Sequence, residues 1–340
     1  MEIIFDDTAV KTRLYPFTST RSAADIRIGI LTIREKWDFI LSRLNAESSL
    51  TDLNITANII PTKNYVEAFV LPETQQVNVD EDDMQTLLHP WDIFLLNDWA
   101  LRKDFELITA GRKSQPIPVS NSITGADNIF IEEGAVVEFC TINAVTGPVY
   151  LGKNSLIMEG TVIRGPFALC EGAVVKMGAK IYGATTIGPF SVVGGEIKNS
   201  VIMGYSNKAH DGYLGDSVIG EWCNLGAGTT NSNIKNSAGF IKVWDNNSNA
   251  YLQVGLKCGL LMGDYSRTAI NTRFNTGTMV GVCCNITEEG FPPKYIPCFT
   301  WGKEKYIFNK ALEHIGNWKK LKNQELTDNE IEQLQSIYNQ

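Results

Sequence analysis

Histidine is scarce in this chain, with three in 340 residues: His89, His210 and His314. Chemistry that gathers several histidines around one metal therefore starts with little material. The seven cysteines are an odd number and form no C-x-x-C pair, which argues against a disulfide framework and against a thiolate zinc site. Cys283 and Cys284 read as packing residues rather than a redox pair. Basic charge is also short. Thirty lysines and arginines face 38 acids for a net charge of −8, opposite to the footprint of a nucleic-acid binder. No apolar run approaches the ~18–20 residues that span a bilayer, and residues 1–7 (MEIIFDD) lack a basic start followed by an apolar stretch. The expectation is a cytoplasmic protein without membrane or nucleic-acid partners.

What is present is a globular mixture, 44% apolar and 20% charged, with material for two domains. Of 29 glycines, only Gly29, Gly111, Gly302 and Gly316 fall outside the stretch from Gly125 to Gly290, which sets a compositional boundary near residue 120. Before it, Thr32 with Glu35 makes a capping-box pattern, and Ile33, Trp37, Ile40, Leu41 and Leu44 follow at helical spacing. Residues 55–60 read as strand, and the apolar run 91–96 as a buried strand. A polar, proline-punctuated linker, RKSQPIPVSNS over 112–122, closes this mixed α/β unit, and few contacts are expected to cross it.

Beyond the boundary the period is six. Leu151, Ile157, Ile163, Leu169, Val175, Ile181, Ile187 and Val193 follow one another at that spacing. The register is visible at Ile131 and Val137, slips by two around 143–149, and returns at Ile219 and Leu225. Such a repeat is a short strand and a sharp corner, with the aliphatic side chain inward and glycine taking backbone angles other residues resist. A β-sandwich, with irregular turns at about 8–12 residues, is the weaker alternative. The pattern resembles the left-handed parallel β-helix of hexapeptide-repeat acyltransferases, and the handedness is implied by that resemblance alone. The predicted fold is mainly β: a reduced α/β nucleotidyltransferase-like domain (1–122), a left-handed β-helix (123–290), and a capping segment with C-terminal helices (291–340). The six-residue rhythm ends after Gly290. Residues 291–301 (FPPKYIPCFTW) are expected to cap the last coil, and two helices follow, the second opened by a Thr327–Glu330 capping box and packing on a neighbour.

The ladder of aliphatics breaks at Glu196, and 196–216 reads as a loop inserted into the scaffold, a place where function concentrates. Glu196, Lys198, Lys208, His210, Asp211 and Tyr213 fall within it, followed by NLGAG from Asn224 and by Asn231, Asn233 and Lys235. These types suit amine acylation: a neutral histidine accepts the amine proton, a carboxylate orients the ring, lysine holds phosphate and backbone amides stabilise the oxyanion.

The order Glu196-x-Lys198, Lys208, His210-x-x-Tyr213-Leu214-Gly215-Asp216, Ile219-Gly220 and Asn224-Leu225-Gly226-Ala227-Gly228-Thr229 resembles the C-terminal domain of the bifunctional N-acetylglucosamine-1-phosphate uridyltransferase/glucosamine-1-phosphate acetyltransferase family, in its alternative Bacteroidetes-type form. The resemblance covers about 123–290. It implies His210 as general base supported by Glu196, with Lys198, Tyr213, Asn224 and Asn233 on the sugar phosphate and Ala227 along acetyl-CoA. It also implies a homotrimer with acetyl-CoA between adjacent prisms. The family's phosphate-binding arginine has no clean match; Tyr182 falls near its place, with Lys180 and Arg164 the nearest cations, and Ile234 stands where a tyrosine is usual.

Residues 12–18 (TRLYPFT) resemble the segment after the nucleotide loop of the family's uridyltransferase half, which makes Arg13 a candidate nucleotide-binding residue. The loop itself, 6–11 (DDTAVK), has no glycine, and its two acids would require Mg²⁺ beside a triphosphate. The expected function is acetyl-CoA-dependent N-acetylation of an amino-sugar 1-phosphate, glucosamine 1-phosphate first, in sugar-nucleotide biosynthesis. The alternatives are a sugar-1-phosphate nucleotidyltransferase of UDP-N-acetylglucosamine diphosphorylase type, alone or in a bifunctional enzyme, and a non-catalytic assembly subunit. A zinc-dependent β-helix hydratase is disfavoured, since His210 is the one histidine in the repeat region.

Overall fold

The computed structural model describes residues 3–44, 53–70 and 78–340. From residue 122 short strands stack coil on coil into a three-walled parallel β-helix. The first wall holds Ser122–Thr124, Thr141–Asn143, Val162–Arg164, Lys180–Tyr182, Glu196–Lys198 and Tyr213–Gly215. The second wall has nine strands, from Ile129–Ile131 to Tyr295–Ile296. The third runs from Val136–Val137 to Thr300–Trp301 and is closed by the antiparallel strand Glu304–Lys305. The ladder thus gains two more rungs beyond Gly290, where the six-residue spacing had faded.

The six-residue rule becomes three inward columns. Ile142, Ile163, Ile181, Ile197 and Leu214 line up behind the first wall. Leu151, Leu169, Ile187, Ile202 and Ile219 stand behind the second, and Val137, Ile157, Val175 and Val193 behind the third. All lie in one buried cluster, each side chain contributing roughly 1.5–3 kcal/mol by leaving water.

Residues 196–216 are not an inserted loop, contrary to the expectation. Glu196–Lys198, Val201–Ile202 and Asn207–Lys208 are ordinary rungs, paired on both sides, and Tyr213–Gly215 is the last rung of the first wall, paired with Glu196–Lys198. The sequence rhythm fails because the coil shortens after Val193, bringing Ile197 and Ile202 inward ahead of the six-residue spacing, and Lys208, a buried lysine, then takes the inward place opposite Val193. The real excursion is later. After Asn231 the chain leaves the helix in an antiparallel hairpin, Ile241–Asp245 with Ala250–Gly255, and returns at Cys258 and Gly259.

In the N-terminal unit, Ile3–Asp6 pairs in parallel with Leu53–Thr56, and Ile59–Pro61 pairs antiparallel with Met84–Thr86. Helices α1 (Ile33–Leu41), α2 (Lys63–Val70), α3 (Asp92–Leu95) and α4 (Asn97–Thr109) surround them. The Thr32–Glu35 capping box forms as read. The run 91–96 is helical rather than a strand. Asp92 accepts the backbone N–H groups of Leu88 and His89 at 2.9 and 2.8 Å, and the short apolar run turns Ile93 and Phe94 into the core.

The expected scarcity of contacts between the units is also corrected. The N-terminal unit covers the outer surface of the second wall, and Phe17, Trp37 and Ile55 share one core with Val201, Val218, Leu261 and the hairpin's Val243. Asn97 accepts from the Gly29 N–H at 2.8 Å and donates to the Ala184 carbonyl at 2.9 Å. Arg21 reaches across to Asp264 and, at 3.2 Å, to Glu221.

The corner between the second and third walls carries a residue with φ near +60° at successive coils: Phe190, Tyr205, Trp222, Tyr265, Cys283 and Phe299. Aromatic side chains at such a backbone angle cost strain, offset here by stacking of Phe190 on Tyr205 (5.2 Å) and Tyr205 on Trp222 (4.3 Å). Helices α5 (Phe308–Lys320) and α6 (Asp328–Tyr338) pack on this column through Ala311, Ile315 and Leu334. Their apolar faces are therefore covered by the chain's own β-helix, not held for a neighbour, and the Thr327–Glu330 box opens α6. The first wall and the corner joining the third wall to it remain uncovered by these helices.

Candidate functional site

Side chains alternate along a strand, so the residues flanking inward Ile197 and Leu214 project from the first wall. Glu196 stands beside Tyr213 and opposite Lys180, while Lys198 stands opposite Tyr182. The Tyr182 hydroxyl donates to Glu196 Oε1 at 2.7 Å, and the Lys198 ammonium lies 5.8 Å from the centre of the Tyr182 ring. Asn233, at the root of the hairpin, donates through Nδ2 to the Tyr213 hydroxyl oxygen at 3.0 Å and to the carboxylate of Asp216. The structure thus gathers Glu196, Lys198, Tyr213 and Asn233 on one surface. Burial and the neighbouring carboxylate of Asp216 hold the Tyr213 hydroxyl well above the usual phenol range, so it stays protonated.

His210 is exposed at the corner between Asn207–Lys208 and Tyr213–Gly215. The coil before it turns through Gly194 and Gly195, and the next turns through Ala227 and Gly228. A Cβ on Gly195 would lie 2.9 Å from the His210 carbonyl oxygen, and the Gly228 N–H donates to Asp211 at 3.0 Å. Only glycine fits at 195, where φ is +73° and the next coil presses on the backbone. Lys208 does not face outward to a phosphate. Its Nζ donates to the carbonyls of Gly194, at 3.1 Å, and His210, and burial lowers its pKa to about 8. It braces the corner from within.

Among the described residues no side-chain hydrogen bond fixes the His210 ring, and Glu196 is engaged by Tyr182 instead. Asn224 lies elsewhere, on the third wall between Asn207 and Arg267. Ala227 sits one coil beyond His210 on the same corner, its carbonyl accepting from Asn271 at 2.7 Å. Arg13 is exposed in the turn-rich segment after Ile3–Asp6. A cavity of about 620 Å³ opens nearby, lined by Asp6, Asp7, Thr8, Lys11, Thr12 and Asn54. Sequence reading assigned nothing to Asn199, whose Nδ2 donates to Asp216 Oδ1 at 2.7 Å. The signal was there in the paired dipeptides Asn199-Ser200 and Asp216-Ser217, whose first residues both take left-handed corner angles of 45° and 48°.

The fold is a hexapeptide-repeat β-helix, and its corner at His210 lies beside a wall that presents Glu196, Lys198, Tyr213 and Asn233. Comparison with known proteins adds a second strand of support. Residues 2–68 match the family model of sugar nucleotidyl transferases. The chain is similar to the bifunctional protein GlmU of Methanocaldococcus jannaschii, 30% identical over 223 residues, covering 65% of this chain and 48% of the relative. It is likewise similar to the bifunctional sugar-1-phosphate nucleotidylyltransferase/acetyltransferase of Sulfurisphaera tokodaii, 30% identical over 198 residues, covering 58% of this chain and 43% of the relative. The chain spans about half the length of these relatives. Among solved structures, an Arabidopsis UDP-N-acetylglucosamine acyltransferase aligns over 65% of this chain and 88% of its own, at 16% identity and a TM-score of 0.33, and the fold stands on the strand pairing above. Among the described residues no helix is long and apolar enough to cross a membrane.

Proposed function

We propose that this chain is an acetyl-CoA-dependent N-acetyltransferase for an amino-sugar 1-phosphate, with glucosamine 1-phosphate the expected acceptor, serving sugar-nucleotide biosynthesis as a homotrimer. The observation that carries the reading is an exposed histidine on a small-residue corner, beside a wall that presents Glu196, Lys198, Tyr213 and Asn233. The name of the Sulfurisphaera tokodaii relative, a sugar-1-phosphate nucleotidylyltransferase/acetyltransferase, supports the reaction class.

In this reading the neutral His210 imidazole takes the proton of the acceptor amine as its nitrogen attacks the thioester carbonyl. A new C–N bond forms, the C–S bond breaks, and the proton leaves with the CoA thiol. Lys198 supplies the cation for the acceptor's phosphate, and the Tyr213 hydroxyl and Asn233 carbonyl bind its oxygens and hydroxyls. Gly194, Gly195, Ala209, Gly212, Ala227 and Gly228 leave the His210 corner without long side chains, which suits the slender arm of a CoA thioester.

Two features support the trimer. Outside the third wall, Val136, Leu156, Val174 and Val192 form an apolar stripe in register, and Phe139 and Met177 are exposed on the adjoining corner. Burying that stripe against a second prism would bring one subunit's third wall, with Asn224, toward another's first wall. The test is CoA thiol release across a panel of amino-sugar 1-phosphates. Turnover with glucosamine 1-phosphate supports the reading; no release with any member refutes it.

A second reading, nucleotidyl transfer by the N-terminal unit, is favoured by the family-model match over 2–68. Asp6 and Asp7 are already hydrogen-bonded to the N–H groups of Thr8 and Ala23, and among the described residues no group of three or more His, Cys, Asp or Glu side chains could hold a metal. Mg²⁺ enters this reading only with a nucleotide's phosphates. Pyrophosphate release from UTP or dTTP and a sugar 1-phosphate, lost on Arg13→Ala, is the corresponding test.

A further inference from the structure

We propose that Asp216 is a positioning residue of the acceptor site, which fixes the side-chain amide of Asn233 and, through it, the direction in which the Tyr213 hydroxyl donates. The inference rests on the acetyl-transfer reading for its substrate and on geometry for its mechanism.

Asp216 is 3% exposed, and its backbone is tied on both sides: its N–H donates to the Lys198 carbonyl at 3.0 Å, and its carbonyl accepts from Gly259 at 2.8 Å. One carboxylate oxygen accepts from Asn199 at 2.7 Å and the other from Asn233. An ionised carboxylate only accepts, so it settles which end of each asparagine faces it. Asn233 must point its NH₂ inward, and both protons are then used, one on Asp216 and one on the Tyr213 oxygen at 3.0 Å. Two consequences follow. The Tyr213 oxygen accepts from the protein, which leaves its own proton to donate outward. The Asn233 carbonyl, turned away from Asp216, is left as an outward acceptor. A donor and an acceptor side by side match the hydroxyl and oxyanion groups of a sugar phosphate, whereas a flipped Asn233 would present the reverse pattern. Asp216 is also joined to the hairpin root through Gly259, so the same residue holds the returning strand against the wall.

The test compares Asp216→Asn with the double variant Asn199→Asp/Asp216→Asn. The single change replaces an acceptor oxygen by an NH₂, which leaves either Asn199 or Asn233 facing a donor. The double change restores every donor–acceptor pair, with the charge moved to position 199. Asp216→Asn is expected to raise the acceptor KM about tenfold, with the acetyl-CoA KM and kcat within about twofold, and the double variant to return the acceptor KM toward wild type. Equal loss in both substrates' KM, an unchanged acceptor KM, or failure of the double variant to restore it overturns the proposal. Crystal structures of the three proteins read the role without catalysis. Asn233 turned away from Tyr213 in the single variant and returned in the double supports it; an unmoved Asn233 refutes it. If the wild-type protein turns over no amino-sugar phosphate, the reaction assignment fails while these structures still decide the role of Asp216.

Discussion

The Tyr182 hydroxyl and the Glu196 carboxylate are joined across adjacent coils of the first wall at 2.7 Å, and the ring of the same tyrosine lies beneath Lys198. One residue therefore contacts both members of the Glu-x-Lys pair. The bond to Glu196 pushes the Tyr182 pKa up to about 12, so the hydroxyl remains a donor throughout the neutral range. Tyr182→Phe keeps the ring and loses that bond. It is expected to lower kcat/KM roughly tenfold, the size of one lost hydrogen bond to a charged group, with no change in melting temperature. Tyr182→Leu removes the ring as well and is expected to raise the acceptor KM further. Steady-state kinetics of the pair decide this, and wild-type kcat/KM in Tyr182→Phe would show that the orientation of Glu196 is irrelevant.

Lys208 makes stability rise with pH, in the same direction as a salt-bridged acid but in the alkaline range. Its pKa falls from 10.5 to about 8 through burial. Below pH 8 the native state carries the buried charge and its cost is fully present. Between 8 and 10.5 the unfolded chain binds a proton that the native chain lacks, so this residue's contribution rises with pH, by on the order of 3 kcal/mol in all. Lys208→Met removes that dependence. The melting-temperature difference, variant minus wild type, should therefore fall steadily from pH 7.5 to 10.5. A difference constant over that range would contradict the placement of Lys208 inside the coil.

The apolar stripe on the third wall gives an assembly prediction. Val174→Lys places a cation between Leu156 and Val192 while leaving the inward column intact. Sedimentation should show three chains for the wild type and one for the variant, with acetyl transfer lost and the melting of the isolated chain little altered. A wild-type monomer would refute the trimer.

Legibility varied with how many residues each structural rule leaves free. The β-helix was readable because every wall needs one inward aliphatic per rung, and from Leu151 to Val193 the chain obeys without exception. It became unreadable where the spacing shortened and a polar side chain entered a column. The repeat looked finished at Glu196, where the coil shortens and the inward places pass through Ile197 and Ile202 to Lys208, which turned regular rungs into an apparent loop, while the hairpin at 241–255, built of ordinary alternating residues, gave no warning. The run 91–96 failed for another reason: a six-residue stretch with five apolar side chains fits a strand or a short helix, and the carboxylate of Asp92 capping 88–89 decides between them. In the site, Glu196, Lys198, Tyr213 and Asn233 were named from sequence and do share one surface. Asn224 does not join them within one chain, because residue spacing carries no information on which wall a rung occupies. Asn199 was missed because its role is to bond another side chain.

Acetyl transfer at this corner depends on His210. Replacing it with alanine touches an exposed side chain at a corner whose backbone is held by Lys208 and by the neighbouring coils, so folding and assembly should be unchanged by circular dichroism and sedimentation. Thiol release from acetyl-CoA with glucosamine 1-phosphate should fall at least a hundredfold, the lower range for loss of a general base. A folded His210→Ala protein that releases CoA at near the wild-type rate would contradict the assignment of the corner as the catalytic site.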